Sequence, residues 1–125
     1  MASFMGCTQA TAVFVGRSMR PNRVLIDRLE FDIVGIRDER GALDELPIEM
    51  ESALPEFPAR LTSVSGSIKV FAKNRKGEEV SLDRDEIILL EKHTEARCPV
   101  ADMMVASGCV MNVEWVDGYG ISDEN

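Results

Sequence analysis

The spacing of hydrophobic residues at the start of the chain is typical of one helical face. Small or apolar side chains recur there at steps of three and four residues, at Phe4, Cys7, Thr11, Phe14, Val15 and Ser18. This pattern predicts a helix over residues 2–20. The helix should end near Met19, because the residue before Pro21 is pushed out of the helical region. The β-branched residues within 11–15 favour a strand instead, and both alternatives stay open.

The next segment predicts a half-buried strand. Leu29, Phe31 and Ile33 alternate with acidic residues, which places the apolar side chains on one face of a sheet. The charged residues 37–41 that follow end in a glycine and predict a turn. No long helix or strand is predicted for residues 46–58, which follow this turn.

Three prolines within residues 46–58 predict a loop, or a loop with a short edge strand at residues 48–50. Residues 60–73 alternate again, with a change of phase near Gly66 that suggests a β-bulge. Residues 109–117 alternate once more and predict the last strand.

Two consecutive helices are predicted between these last strands. Asp83 followed by Glu86 has the form of a capping box, and the apolar stripe behind it consists of Ile87, Leu90, Thr94 and Cys98. Pro99 is suited to the first position of a second helix, residues 99–107, which Gly108 closes. The order helix, strand, strand, helix pair, strand predicts one α+β domain over residues 1–118 with largely antiparallel pairing. Residues 119–125 form a polar tail.

Composition and charge narrow the classes of function. The 125 residues are 45% hydrophobic and 29% charged, which is typical of one globular domain. The net charge of −8 repels phosphates and anionic lipid headgroups, so neither nucleic acid nor a membrane surface is an expected partner. No apolar run is long enough to span a bilayer. Three cysteines are an odd number, which favours a reducing compartment, and we expect the cytoplasm.

The cysteines are the candidates for chemistry. Cys98 precedes a helix-starting proline, where free backbone N–H groups favour a thiolate, although it also continues a buried stripe as a small apolar residue would. Cys7 and Cys109 each fit a buried structural position. Only Cys7 with Cys98 would make a redox pair from two helices. His93 is the only histidine, so a metal site has no second imidazole. Chemistry carried out by a pair of cysteines needs no metal or organic cofactor, and we expect none.

Several short motifs resemble the OsmC/Ohr family of thiol peroxidases in type and order. Cys7-Thr8 matches the first cysteine of its central helix, and residues 29–35 with the charged turn after them match the strand that follows. The element around Cys98-Pro99-Val100 matches the second cysteine, and it is the most specific part. Residues 110–116 match the final strand. The resemblance covers most of residues 6–117.

The resemblance implies an OsmC-like fold, an antiparallel sheet with a central helix and a second, cysteine-bearing helix. It also implies reduction of organic hydroperoxides, with Cys7 as attacking thiolate, Cys98 as resolving thiol and an external dithiol as reductant. An apolar substrate pocket, or simply core packing, is the expected role of four side chains, Phe4, Phe14, Met103 and Met104.

Two departures from the family pattern leave alternatives open. A proline-rich stretch around residues 43–60 is extra, and only six residues precede Cys7, where the family has a sheet that supplies a supporting arginine and glutamate. The domain is therefore predicted to be shortened at its N-terminus. Either its activity is impaired, or it is a shortened member, or a partner supplies what is missing. The rival hypothesis is a non-catalytic binding or assembly module on an OsmC-like frame.

The small number of strands predicts self-association. Two helices should not cover both faces of such a sheet while also burying Phe31, Phe71 and Trp115. Family members form intertwined dimers, so the resemblance implies a homodimer that buries more than about 2,000 Å². The alternative is a monomer in which residues 46–58 fold over the exposed face.

Overall fold

The computed structural model describes residues 2–37, 39–43, 46–54, 56 and 61–119. Along these residues the elements are α1 (Ala2–Ser18), β1 (Leu25–Arg37), α2 (Glu39–Ala42), β2 (Leu61–Lys73), β3 (Glu79–Val80), α3 (Arg84–Arg97), α4 (Pro99–Ala106) and β4 (Val110–Asp117). The α+β class is confirmed.

The first helix is confirmed over the alternative strand, but its buried face is rotated from the predicted one. The buried side chains of the helix are Phe4, Thr8, Ala12 and Val15, and Met19, just after its end, is buried too. Cys7 and Thr11 lie beside this face and are half-buried, whereas Phe14 is 62% exposed. The helix ends at Ser18, close to the predicted position. Both predicted and observed stripes follow helical spacing, so only the packing of α1 on β1, α3 and α4 selects between them.

The long strand β2 lies in the middle of the sheet. Along one edge it pairs antiparallel with β1. Along the other edge it pairs antiparallel with β3 at residues 72–73 and parallel with β4 at residues 63–70. Largely antiparallel pairing is therefore confirmed. The parallel pairing of β4 requires a crossover, and α3 and α4 supply it. This crossover brings the junction of α3 and α4 against α1.

The predicted bulge at Gly66 is wrong. Pairing with β1 continues through Gly66 opposite Ile33, and the irregularities lie elsewhere, between Ile26 and Arg28 and between Ile36 and Arg37. The apparent change of phase arises because Leu61, Ser63 and Ser65, which alternate in the first half of β2, lie on the face opposite to Val64. Alternate residues on both sides of Gly66 share one buried face, namely Val64, Ile68, Val70 and Ala72.

Two other local predictions are corrected. The predicted turn at residues 37–41 is replaced by the end of β1, where Arg37 still pairs with Leu61, and by the short helix α2. Of that segment, Asp38 lies outside the described residues. The alternative edge strand at residues 48–50 does not form, since residues 46–54 are neither helical nor extended in a sheet. Among the described residues, no strand pairs with their backbone.

The helix pair follows the sequence prediction closely. Asp83 caps α3, because the N–H of Glu86 donates to Asp83 Oδ1 at 2.9 Å and the N–H of Asp83 donates to Glu86 Oε1 at 3.1 Å. The predicted stripe is buried, at Ile87, Leu90, Thr94 and Cys98. Pro99 opens α4, and Gly108 follows its end with φ +95°.

The helices cover one face of the sheet, and of the three aromatic side chains expected to lack cover, Phe71 and Trp115 are buried whereas Phe31 is half-buried. Trp115 is 2% exposed and lies in the main core between the sheet and the helices. Phe71 points to the opposite face, where the Arg28 guanidinium lies 4.0 Å from its ring centre and Tyr119 packs edge-on at 5.1 Å. The side chains around Phe71 therefore bury it without a third layer.

Candidate active site

Two of the three cysteines meet where α1 crosses the junction of α3 and α4. The Sγ atoms of Cys7 and Cys98 are 3.1 Å apart, and the Cys98 thiol donates to Cys7. A disulfide needs about 2.05 Å, so the two sulfurs are within about 1 Å of bonding distance. Residues 91 positions apart are thus brought together by helix packing, as the sequence hypothesis of a pair from two helices requires.

The two thiols differ in access to solvent. Cys98 is completely buried, and the Thr8 hydroxyl lies 3.7 Å from its sulfur. Phe4 and Ala101 belong to the same buried cluster. Cys7 is only partly buried. A reagent from solvent can therefore reach Cys7 but not Cys98.

Hydrogen-bond donors lower the pKa of Cys7. The largest contribution comes from the backbone N–H of Val100 and the next from the Cys98 thiol, with a smaller one from the Thr11 hydroxyl, while partial burial acts in the opposite direction. Val100 carries the first backbone N–H of α4, because Pro99 has none. The N-terminus of α4 thus lowers the pKa of Cys7, whereas the side chain of Cys98 makes no capping hydrogen bond with it. The sequence hypothesis had assigned this helix terminus to Cys98.

Cys109 has a different environment. Its sulfur lies 3.9 Å from the Met111 sulfur and 3.9 Å from the Val110 carbonyl oxygen. Burial raises the pKa of this thiol. A buried thiol that stays protonated is a poor nucleophile, so Cys109 fits its structural interpretation.

The other candidates do not gather at the thiols. His93 lies on α3 with its Nδ1 3.4 Å from the Arg97 guanidinium. The described residues hold no cluster of His, Cys, Asp or Glu that could bind a metal. Nor do the four expected pocket residues share a pocket. Phe4 is buried beside Cys98 and Met104 packs on that cluster, but Phe14 and Met103 are exposed.

Sequence reasoning missed Thr11 and Val100 as site residues. Thr11 lies one helical turn after Cys7, so its place on the same face was a usable signal. Val100 is the first residue with an N–H after a helix-starting proline, which also marks it. Their relation to Cys7 depends on how α4 packs against α1, which no local pattern reveals.

Comparisons with known proteins identify the fold. No protein-family profile matches the sequence, and no curated protein matches it. Among solved structures, the crystal structure of an OsmC-like protein from Mycoplasma pneumoniae superposes with a TM-score of 0.60 at 16% sequence identity. The match covers 92% of this chain and 65% of that one, so the present chain spans less than two thirds of its length.

No helix among the described residues is long and apolar enough to cross a membrane. The helix-backed sheet with its cysteine-bearing helix pair, together with this structural match, shows that the chain has the OsmC-like fold.

Proposed function

We propose that this protein reduces organic hydroperoxides with two cysteine thiols, Cys7 attacking and Cys98 resolving. The observation that carries the proposal is the 3.1 Å separation of the two sulfurs. Their unequal exposure supports the assignment of roles, because the attacking sulfur must meet substrate and the resolving sulfur need not. The lowered pKa of Cys7 supports it further, since the thiolate is the nucleophile.

The chemistry has two steps on the protein and one with a reductant. The Cys7 thiolate attacks the distal peroxide oxygen, the O–O bond breaks, and the alkoxide takes a proton to leave as an alcohol, with a sulfenic acid left on Cys7. The Cys98 thiol then displaces water to form the disulfide. An external dithiol reduces this disulfide by thiol exchange and is itself oxidised. Because this cycle needs a reducing pool, we place the protein in the cytoplasm.

Helix α4 can replace a supporting cation. A thiolate beside a helix N-terminus is stabilised by free N–H groups and by the positive end of the helix dipole. Val100 supplies such an N–H to Cys7, and the Thr11 hydroxyl adds a second donor. This chain's own residues therefore favour the Cys7 thiolate without an arginine.

Counting free thiols after peroxide treatment tests the proposal. Reduced protein has three thiols. After one equivalent of cumene hydroperoxide, the wild type should retain one, and the Cys109→Ser control should retain none. Mass mapping should find the disulfide between Cys7 and Cys98. Three titratable thiols with excess peroxide would rule out the proposed function.

A second candidate is a non-catalytic binding or assembly module. One end of the sheet face opposite the helices carries exposed Val34, Ile36 and Val110, and Ile36 and Val110 both flank Ser63 on neighbouring strands. The loop before β2 is also apolar and exposed, with Ile48 at 78% and Met50 at 100%. Apolar surface of this kind is typical of a contact with another protein.

The pH dependence of Cys7 alkylation separates the two candidates. If the protein is a peroxidase, the rate at which iodoacetamide modifies Cys7 should be half-maximal at a pH below the pKa of an ordinary thiol, because the pKa of Cys7 is lowered. Cys98→Ala should move the profile to higher pH by removing a donor, whereas Cys98→Ser keeps a donor and should move it less. An inert Cys7 in a folded protein would favour the binding module.

We also propose that the chain forms a homodimer. The alternative monomer needs the loop before β2 to cover the open sheet face, yet its described apolar residues Ile48, Met50 and Leu54 are exposed. A second copy could cover both patches. In light scattering, a mass of 13.9 kDa that persists on concentration would exclude the dimer.

A further inference from the structure

A cleft between α1 and α3 is separate from the thiol pair. Its volume is ≈ 430 Å³, which lies within the usual range for small-molecule sites. Residues from both helices line it: Phe14, Val15, Ser18, Met19, Arg20, Leu89, His93 and Arg97. Because Met19 lies near the start of α3 and Cys7 near its end, the two helices run antiparallel along the cleft.

The cleft and Cys7 lie along the same side of α1. Cys7, Thr11, Phe14 and Ser18 follow one another at steps of three and four residues, so they form one stripe along α1. Phe14 and Ser18 line the cleft, and the stripe leads from them to Cys7. On the facing helix, Arg97 lines the cleft and immediately precedes Cys98.

The charge of the cleft contrasts with that of the chain. The whole protein carries −8, yet the described residues that line the cleft include two arginines, Arg20 and Arg97, and no acidic residue. The two ends differ. Arg20 lies beside carboxylates at the start of α3, in the adjoining cavity lined by Asp83, Asp85 and Glu86, and its guanidinium also donates to backbone carbonyls at the end of α1.

The end of the cleft at Arg97 carries a positive charge that can bind an anionic ligand. Arg97 is exposed, and its guanidinium contacts only the His93 ring among its described hydrogen-bond partners, at 3.4 Å. Five N–H donors on a guanidinium leave capacity for a bidentate carboxylate. Between the two ends, the exposed Phe14 ring and the Leu89 side chain offer an apolar lining.

We propose that this cleft binds an anionic amphiphile, with its carboxylate on Arg97 and its alkyl or aryl group between Phe14 and Leu89. The distance along α3 from Leu89 to Arg97 is about 12 Å, which suits a medium-length chain. This binding needs no reactive thiol, so it goes beyond the proposed peroxidase chemistry and can succeed or fail independently of it.

Calorimetric titration with three eight-carbon probes tests the assignment of charge. Octanoate should bind about tenfold more tightly than 1-octanol, and octyltrimethylammonium should bind more weakly than either. Arg97→Gln should remove the preference for octanoate, whereas Arg75→Gln, on the exposed turn before β3, should keep it. Equal affinity for all three probes, or equal loss in both variants, would overturn the proposal.

The apolar part of the site has its own matched pair of variants. Phe14→Ala should weaken octanoate binding several-fold, because the ring covers the alkyl chain. Met103→Ala removes a similarly exposed apolar side chain from α4, outside the cleft, and should leave the affinity unchanged. Both side chains are exposed, so neither change should unfold the protein. An unchanged affinity in Phe14→Ala would place the ligand elsewhere.

Discussion

Replacing Cys7 with serine is expected to reduce peroxide consumption to the rate seen without protein. A serine hydroxyl is not ionised at neutral pH, so the two donors from Val100 and Thr11 have no thiolate to stabilise. Cys98 cannot take over, because it is completely buried. The measurement is the initial rate of cumene hydroperoxide loss in the presence of excess dithiothreitol.

Cys98→Ser provides the complementary result. The variant should perform the first attack but lack the resolving thiol, so Cys7 should accumulate as sulfinic and sulfonic acid, detectable by intact mass. Cys109→Ser should keep both the wild-type rate and reversibility, because its thiol lies outside the pair. Equal turnover in Cys7→Ser and wild type would contradict the assignment of the attacking sulfur.

Gly66→Ala is expected to destabilise the fold by more than about 4 kcal/mol, among the largest effects of a single substitution. Gly66 has φ +134°, a backbone conformation that residues other than glycine rarely adopt. A Cβ there would also overlap the carbonyl oxygen of Asp32 and approach the Ile33 Cα to 2.8 Å. Both obstacles are backbone atoms of the paired strand, so relief requires the strands to separate.

Gly77→Ala is the matched control for Gly66→Ala. Gly77 also has a positive φ, +85°, but a Cβ at that position meets nothing within 4 Å. Gly77→Ala should therefore lower the free energy of unfolding only by the conformational strain, about 1 kcal/mol. Urea unfolding followed by circular dichroism gives both values. Similar costs for the two variants would show that the close approach of β1 and β2 is not limiting.

The sequence determined most of the local structure. Helical spacing, the Asp83 capping box and Pro99 placed the three longer helices, because these signals act within one or two turns. Alternation placed the three long strands for the same reason. The cysteine pairing and the OsmC-like fold were also predicted from the order of motifs, and the superposed structure confirms the fold.

The tertiary structure decided which of several equivalent local patterns was used. The stripe containing Cys7 and Phe14 and the stripe containing Thr8 and Ala12 are both helical, and only contact with β1, α3 and α4 buried the second. The parallel pairing of β4, the continuous register through Gly66 and the role of Val100 likewise depend on partners distant in sequence. Local spacing constrains a residue's neighbours along its own element, whereas the donors to the Cys7 sulfur are set largely by how separate helices pack.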